Sequence, residues 1–422
     1  MADLSNTLSS EVLRLAGNLS KRNLLRAVSL LESLASIQWH HRGFSAVKGM
    51  IEQDHPGIEA AQRILRQANP RARAAVLNNM ILGCLLKGYR KRLAFYNEYG
   101  TAPPGTLMIS PTLRCNLNCY GCYAGTHERR AELSFDEVDR VLEDAFDMGT
   151  NFIVVLGGEP FMVPWLLDMV EKHPGLAFQI YTNGLLLDDA RIDRLARLGN
   201  AAVTLAVDGL REETDRRRGA GAFDRILKAM EALNRAGVIV GYSVMASRYN
   251  FDDIYSDAFV DTMIEHGAGY GWIPVAVPQG HACTEPELIP TPEQKQQIRG
   301  RIQELRKRKP ILLMDFLNDA EITEGCGAAR ITIHVNANGD VEPCVLMPFA
   351  VDNVRDKPLK EIIRSDFFQG LRGIRDRHRD ETQTCMWVFK PGEVLQTVQA
   401  CGAKPTSEGV MARLRELAEN ET

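Results

Sequence analysis

Between residues 107 and 308, short apolar runs alternate with longer amphipathic stretches, and that rhythm restricts the fold more than any other feature of the chain. The apolar runs fall at 107–110, 152–156, 177–181, 202–207, 238–245 and 270–277. The amphipathic stretches lie near 134–148, 163–173, 188–198, 222–236, 251–266 and 292–308. Short, nearly continuous apolar runs are how strands covered on both faces read, and a helix between two of them makes the pair parallel. Six βα units in a row predict an α/β fold, a parallel sheet covered by helices. Right-handed crossovers let such a sheet curl toward a barrel, and the spacing alone leaves an open sheet and a barrel both open.

The flanks follow other rules. Leu24, Leu25, Val28, Leu31 and Leu34 recur at helical spacing, a second helical stretch covers 58–67, and a third covers 75–96. The third has an apolar centre from Met80 to Leu86 and a basic end of Lys87, Arg90, Lys91 and Arg92. Pro103 and Pro104, between Gly100 and Gly105, mark a linker. After about 310, residues 330–335, a turn at 336–340 and residues 341–345 read as a β-hairpin, with Cys326 before it and Cys344 near its end. The expected division is a helical region at 1–100, an α/β domain at 101–309 and a small α+β domain at 310–422.

Cys115, Cys119 and Cys122 stand in the loop after the first strand with C-x3-C-x2-C spacing. Thiolates select zinc, copper(I) or iron–sulfur clusters. Zinc sites come as paired cysteines completed by a second pair, which this triplet lacks. Three cysteines can hold three irons of a 4Fe–4S cube and leave the fourth open to a ligand. Nine cysteines with no charged-then-apolar start across Met1 to Ser20 argue against a disulfide framework, so a reducing cytoplasm is expected. At 45% hydrophobic, 25% charged and net charge −4, the composition gives no reason to expect nucleic acid as a partner.

The triplet resembles the hallmark of the radical S-adenosylmethionine (SAM) superfamily. That family often has an aromatic residue just before the third cysteine; here the place is Gly121, between Tyr120 and Tyr123. The variant is similar to a subset that includes enzymes acting on lipids and isoprenoids. The resemblance implies a partial (β/α)6 TIM-like barrel, and cofactor-binding residues can be carried over one by one. Gly157-Gly158-Glu159-Pro160, after the second strand, resembles the family's GGEP, whose carbonyls and Glu receive the SAM ammonium. Asn183, in Thr182-Asn183-Gly184, and Asp208, in Ala206-Val207-Asp208-Gly209, fall on two further motifs, with Ala206 where Ser is common. Both could equally be turn-formers, since Asn-Gly and Asp-Gly favour turns. Tyr120 beside the cluster, Ser243 on the fifth strand, and Arg218, a candidate carboxylate partner or part of a solvated basic run, complete the set.

Cys326, Gly339 and Cys344 form C-x12-G-x4-C, which resembles the opening of SPASM and twitch auxiliary-cluster domains. The dense cysteine run of a full SPASM domain is absent, and Cys385 and Cys401 remain. Four cysteines suffice for one auxiliary 4Fe–4S cluster; a four-cysteine zinc site or unrelated thiols are the alternatives. Cys84 reads as a core thiol. Cys283 and His281 follow the last strand, where a radical-site thiol or an incidental one would both fit.

The resemblance therefore implies an enzyme that cleaves SAM reductively to a 5′-deoxyadenosyl radical and abstracts a hydrogen atom. Flavodoxin or ferredoxin would supply the electron. The substrate could be a lipid or isoprenoid, a small molecule or a peptide. A peptide maturase would often carry a strand-rich leader domain, which the helical N-terminal region does not resemble. The 75–96 helix, apolar then basic, could instead lie on a membrane surface. A non-catalytic iron–sulfur sensor is the competing class.

Overall fold

The computed structural model describes residues 11–34, 38–125, 131–277, 285–315, 319, 325–378 and 385–421. The six expected strands are present: β1 (Thr106–Ile109), β2 (Phe152–Val155), β3 (Ala177–Thr182), β4 (Ala201–Ala206), β5 (Val240–Ser243) and β6 (Tyr270–Trp272). They lie side by side in chain order, each parallel to the next. β7 (Leu312–Met314) adds a seventh parallel strand beyond β6. Its three residues are too brief to separate from the preceding helix by pattern alone.

At the other edge the expected hairpin forms from β8 (Thr332–Val335) and β9 (Val341–Glu342). β8 pairs in parallel with β1, so Thr106 faces Thr332 and Ile109 faces Val335. The resulting nine-stranded sheet runs β7-β6-β5-β4-β3-β2-β1-β8-β9 and stays open. It is the partial barrel that the family resemblance implied.

Strand alternation sorts the two faces. Leu107, Ile153, Ile180, Val203 and Leu205 are fully buried against the helices. That burial is worth roughly 1.5–3 kcal/mol per large side chain. Met108, Tyr181, Ala206, Ser243 and Trp272, on the opposite face, are only half-buried. The inner surface thus lines an open space with aromatic, sulfur and small side chains.

The helical N-terminal region has a defined seat. Its helices Lys21–Leu34, Gln38–Glu52, Pro56–Gln67, Pro70–Ala75 and Gly88–Tyr99 are joined by a π-helix over Val76–Lys87, which periodicity did not distinguish from an α-helix. Asn69 N–H donates to the Gly237 carbonyl (2.9 Å), and Arg63 donates to the carbonyls of Ala268 (2.7 Å) and Pro310 (3.1 Å). Asn79 donates to Leu176 (2.9 Å), and Arg92 to Gly149 (2.6 Å). These carbonyls stand just before β2, β3, β5, β6 and β7. The region therefore caps the strands' N-terminal ends, opposite the cysteine loop. Among the described residues, no helix is long and apolar enough to cross a membrane.

In the C-terminal part, Phe349 and Trp387 pack with ring centroids 5.7 Å apart, both fully buried. They join the same continuous core as the sheet.

Candidate active site

The cysteine loop leaves the C-terminal end of β1, the edge where barrel ligands bind. It is stitched to the Gly157–Glu159 turn after β2. Gly158 N–H donates to the Thr112 carbonyl (2.9 Å), and Glu159 N–H to the Arg114 carbonyl (2.8 Å). A Cβ on Gly157, whose φ is +124°, would lie 2.3 Å from the Thr112 oxygen; one on Gly158 would lie 2.2 Å from that of Arg114. Only glycine permits this approach. The Tyr123 hydroxyl closes the stitch, 3.3 Å from both the carbonyl oxygen and the N–H of Gly157.

Glu159 is fully buried and points into the protein. One oxygen accepts from Thr182 Oγ1 (2.7 Å) and Phe161 N–H (3.0 Å), the other from Asn183 N–H (2.9 Å). Burial raises its pKa, and those three donors and Arg218 oppose the rise. The carboxylate thus ties the end of β2 to the end of β3. Asn183 is more than a turn-former: its side-chain amide donates to Asn116 Oδ1 (2.8 Å) and stands 3.9 Å from Cys115 Sγ.

Asp208, after β4, is buried between Arg217 and Arg218, with Arg218 Nε at 2.5 Å. Burial alone would raise its pKa; the two guanidiniums overcome this and hold it below the usual carboxylate range. Arg217 also donates through Nε to the Tyr120 carbonyl (3.0 Å), so β4 grips the cysteine loop from its other side. Burial pushes the Cys119 thiol up, while Arg218 and Arg217 favour its ionised form. Arg217 was hidden in the sequence by the run Arg216-Arg217-Arg218, where only contact separates a site cation from a solvated one. Ser243 ends β5, level with Ala206 and Trp272.

At the C-terminal site, Cys326, Cys344 and Cys385 come together. Burial raises all three, Cys385 to about 12; Cys326 and Cys385 add to the rise at Cys344. Met386 and Ala328 present N–H groups to Cys326, Leu346 to Cys344, and Val388 and Trp387 to Cys385. Cys401 stands at the C-terminal end of helix Pro391–Ala400, where burial raises its thiol pKa and Asp366 adds to the rise. Cys283 and His281 lie outside the described residues, and Cys84 is the apolar-helix thiol expected, its pKa raised to about 11 by burial.

The thiols present fit metal-bound clusters. Backbone N–H groups aimed at sulfurs in an apolar pocket suit charged, metal-bound thiolates better than neutral thiols.

Comparison with known proteins agrees with this geometry. The sequence model of the radical SAM superfamily matches residues 109–258, and that of the SPASM iron–sulfur cluster-binding domain matches 326–386. AdoMet-dependent heme synthase of Methanosarcina barkeri is 26% identical over 64% of this chain and 86% of its own. Mycofactocin maturase MftC of Mycolicibacterium smegmatis is 30% identical over 65% and 71%, and PqqA peptide cyclase of Granulibacter bethesdensis 27% over 64% and 77%. Among solved structures, Streptococcus suis SuiB bound to S-adenosylmethionine superposes with a TM-score of 0.55 at 21% identity, covering 69% of this chain and 72% of that one.

Proposed function

Because the chain belongs to the radical SAM superfamily and carries its SPASM-type auxiliary-cluster domain, we propose that it acts as a peptide-modifying radical SAM enzyme. The double stitch between the cysteine loop and Gly157–Glu159 carries the catalytic part of this reading. When bound, the reduced cluster and SAM supply the 5′-deoxyadenosyl radical that abstracts hydrogen.

The chain's own residues divide the remaining work. Cys115, Cys119 and Cys122 would hold the first 4Fe–4S cluster, and Cys326, Cys344 and Cys385 the auxiliary one. The Gly157 and Gly158 carbonyls would receive the SAM ammonium, with Glu159 fixing the turn from beneath. Arg218 would face the SAM carboxylate, with Tyr120, Asn183, Asp208 and Ser243 shaping the rest of the lip. Tyr181 and Trp272, half-buried on the inner face of the sheet, would help keep water from the strand ends.

The peptide reading rests on relatives whose names include a peptide cyclase and on the superposition with SuiB, which has also been solved with its precursor peptide. The lipid reading keeps one support. Leu86, Leu93 and Tyr96 are exposed on the helical segment that also presents Lys87 and Arg90, and no acidic residue occurs from Val76 to Asn97. Such a face suits an anionic membrane surface. A flavodoxin or ferredoxin would deliver the electron.

The test is anaerobic reconstitution with reductant and SAM. We expect 5′-deoxyadenosine from the wild type and none from the Cys115/Cys119/Cys122→Ala variant, which keeps the auxiliary iron. Equal deoxyadenosine from both would overturn the assignment. Hydrogen transfer from a deuterated peptide into deoxyadenosine would support the peptide reading, and transfer from a deuterated isoprenoid lipid instead would replace it.

A further inference from the structure

A chain of buried polar groups runs between the two thiol sites. Tyr123 is next to Cys122, and its hydroxyl touches Gly157 on one side and the Ser110 hydroxyl on the other. Ser110, 1% exposed, directly follows β1 and lies 2.7 Å from His334 Nε2. His334 faces Glu342 across the β8–β9 hairpin, with Nδ1 2.6 Å from Glu342 Oε2. Asn336 (2.8 Å) and Thr406 donate to the other Glu342 oxygen. Glu342 precedes Cys344 by two residues. His334 and Glu342 are 4% and 2% exposed.

A buried ionisable pair of this kind rarely adds stability over an apolar pair of the same shape, because desolvation offsets the attraction. Its hydrogen bonds do have direction. With Nδ1–H given to Glu342, Nε2 accepts from Ser110, and the Ser110 oxygen is left to accept. The Tyr123 hydroxyl then has one hydrogen and two acceptors, Ser110 Oγ and the Gly157 carbonyl. An ammonium docked on that carbonyl competes for it and turns the phenol hydrogen toward Ser110.

We propose that Tyr123, Ser110, His334 and Glu342 form a positioning relay, through which SAM docking on the Gly157 turn is felt at the auxiliary cluster beside Cys344. This rests on the reading that the turn receives SAM. None of the four need touch substrate. Their role is to let one site's occupancy alter the hydrogen bonding around the other, far away in sequence but joined by the β1–β8 pairing.

The experiment is a redox titration of the fully reconstituted enzyme, following the auxiliary cluster by electron paramagnetic resonance with and without saturating SAM. Isothermal calorimetry on the same samples reports SAM binding. In the wild type, SAM should shift the auxiliary midpoint potential. In Ser110→Ala and Tyr123→Phe the shift should vanish while the iron content stays at the wild-type level. If Ser110→Ala does not retain both clusters, Tyr123→Phe, which deletes only an oxygen, carries the test. A shift that persists in the variants, or wild type that binds SAM with no shift, overturns the relay. Wild type that fails to bind SAM overturns the underlying site reading instead.

Discussion

Gly157 shows how a site residue is fixed by its neighbours rather than by its own chemistry. A methyl there would meet the Thr112 oxygen on a backbone already at positive φ, so Gly157→Ala should cost on the order of 3 kcal/mol locally and abolish SAM binding. Thermal unfolding and calorimetry check both. Asp208 makes a pH prediction. Its folded pKa is depressed, so its stabilisation is complete above the unfolded carboxylate value of about 4 and is lost as pH falls through the lower folded value. Asp208→Asn should lose roughly 3–5 kcal/mol at neutral pH, because two buried guanidiniums remain without their partner. Its stability should then fall less between pH 5 and pH 2, measured by denaturant unfolding across that range. The tight turn at Gly157 and Gly158 was legible because glycine and proline mark such turns. Arg217, Ser110 and His334 were not, since their roles are set by contacts across the sheet, and one strand residue reads like another.

At the scale of elements, six strands and their helices were legible because a buried parallel strand must be continuously apolar. β7 escaped because three residues carry no period, and the π-helix because its apolar positions differ little from those of an α-helix. Cysteine spacing identified the second cluster module; we propose Cys326, Cys344 and Cys385 as its ligands, with Cys401 left at a helix end. Cys401→Ala should keep the wild-type iron content, whereas Cys385→Ala should lower it; equal loss in both would return Cys401 to the ligand set. The Gly88–Tyr99 helix makes a separate prediction. Leu86→Glu with Leu93→Glu should abolish sedimentation with phosphatidylserine vesicles, and added salt should weaken it in the wild type. No sedimentation of the wild type would remove the membrane contact.

For the molecule as a whole, the N-terminal helices seal the end of the sheet opposite the cysteine loop. Arg63 spans two carbonyls of that seal, and Arg63→Ala should cost about 2 kcal/mol in global unfolding without changing SAM affinity. The sequence declared these helices but not their seat, because their anchors are backbone carbonyls that any residue provides. The β1–β8 pairing has a consequence during synthesis. β1 emerges from the ribosome early, yet Thr106 must wait for Thr332 before its second edge is covered. Until then the nascent sheet exposes a row of unpaired amides to its neighbours on the polysome. A chain that stalls or is cut before β8 is therefore left with an adhesive edge, and the last part of the message decides whether the first strand stays soluble.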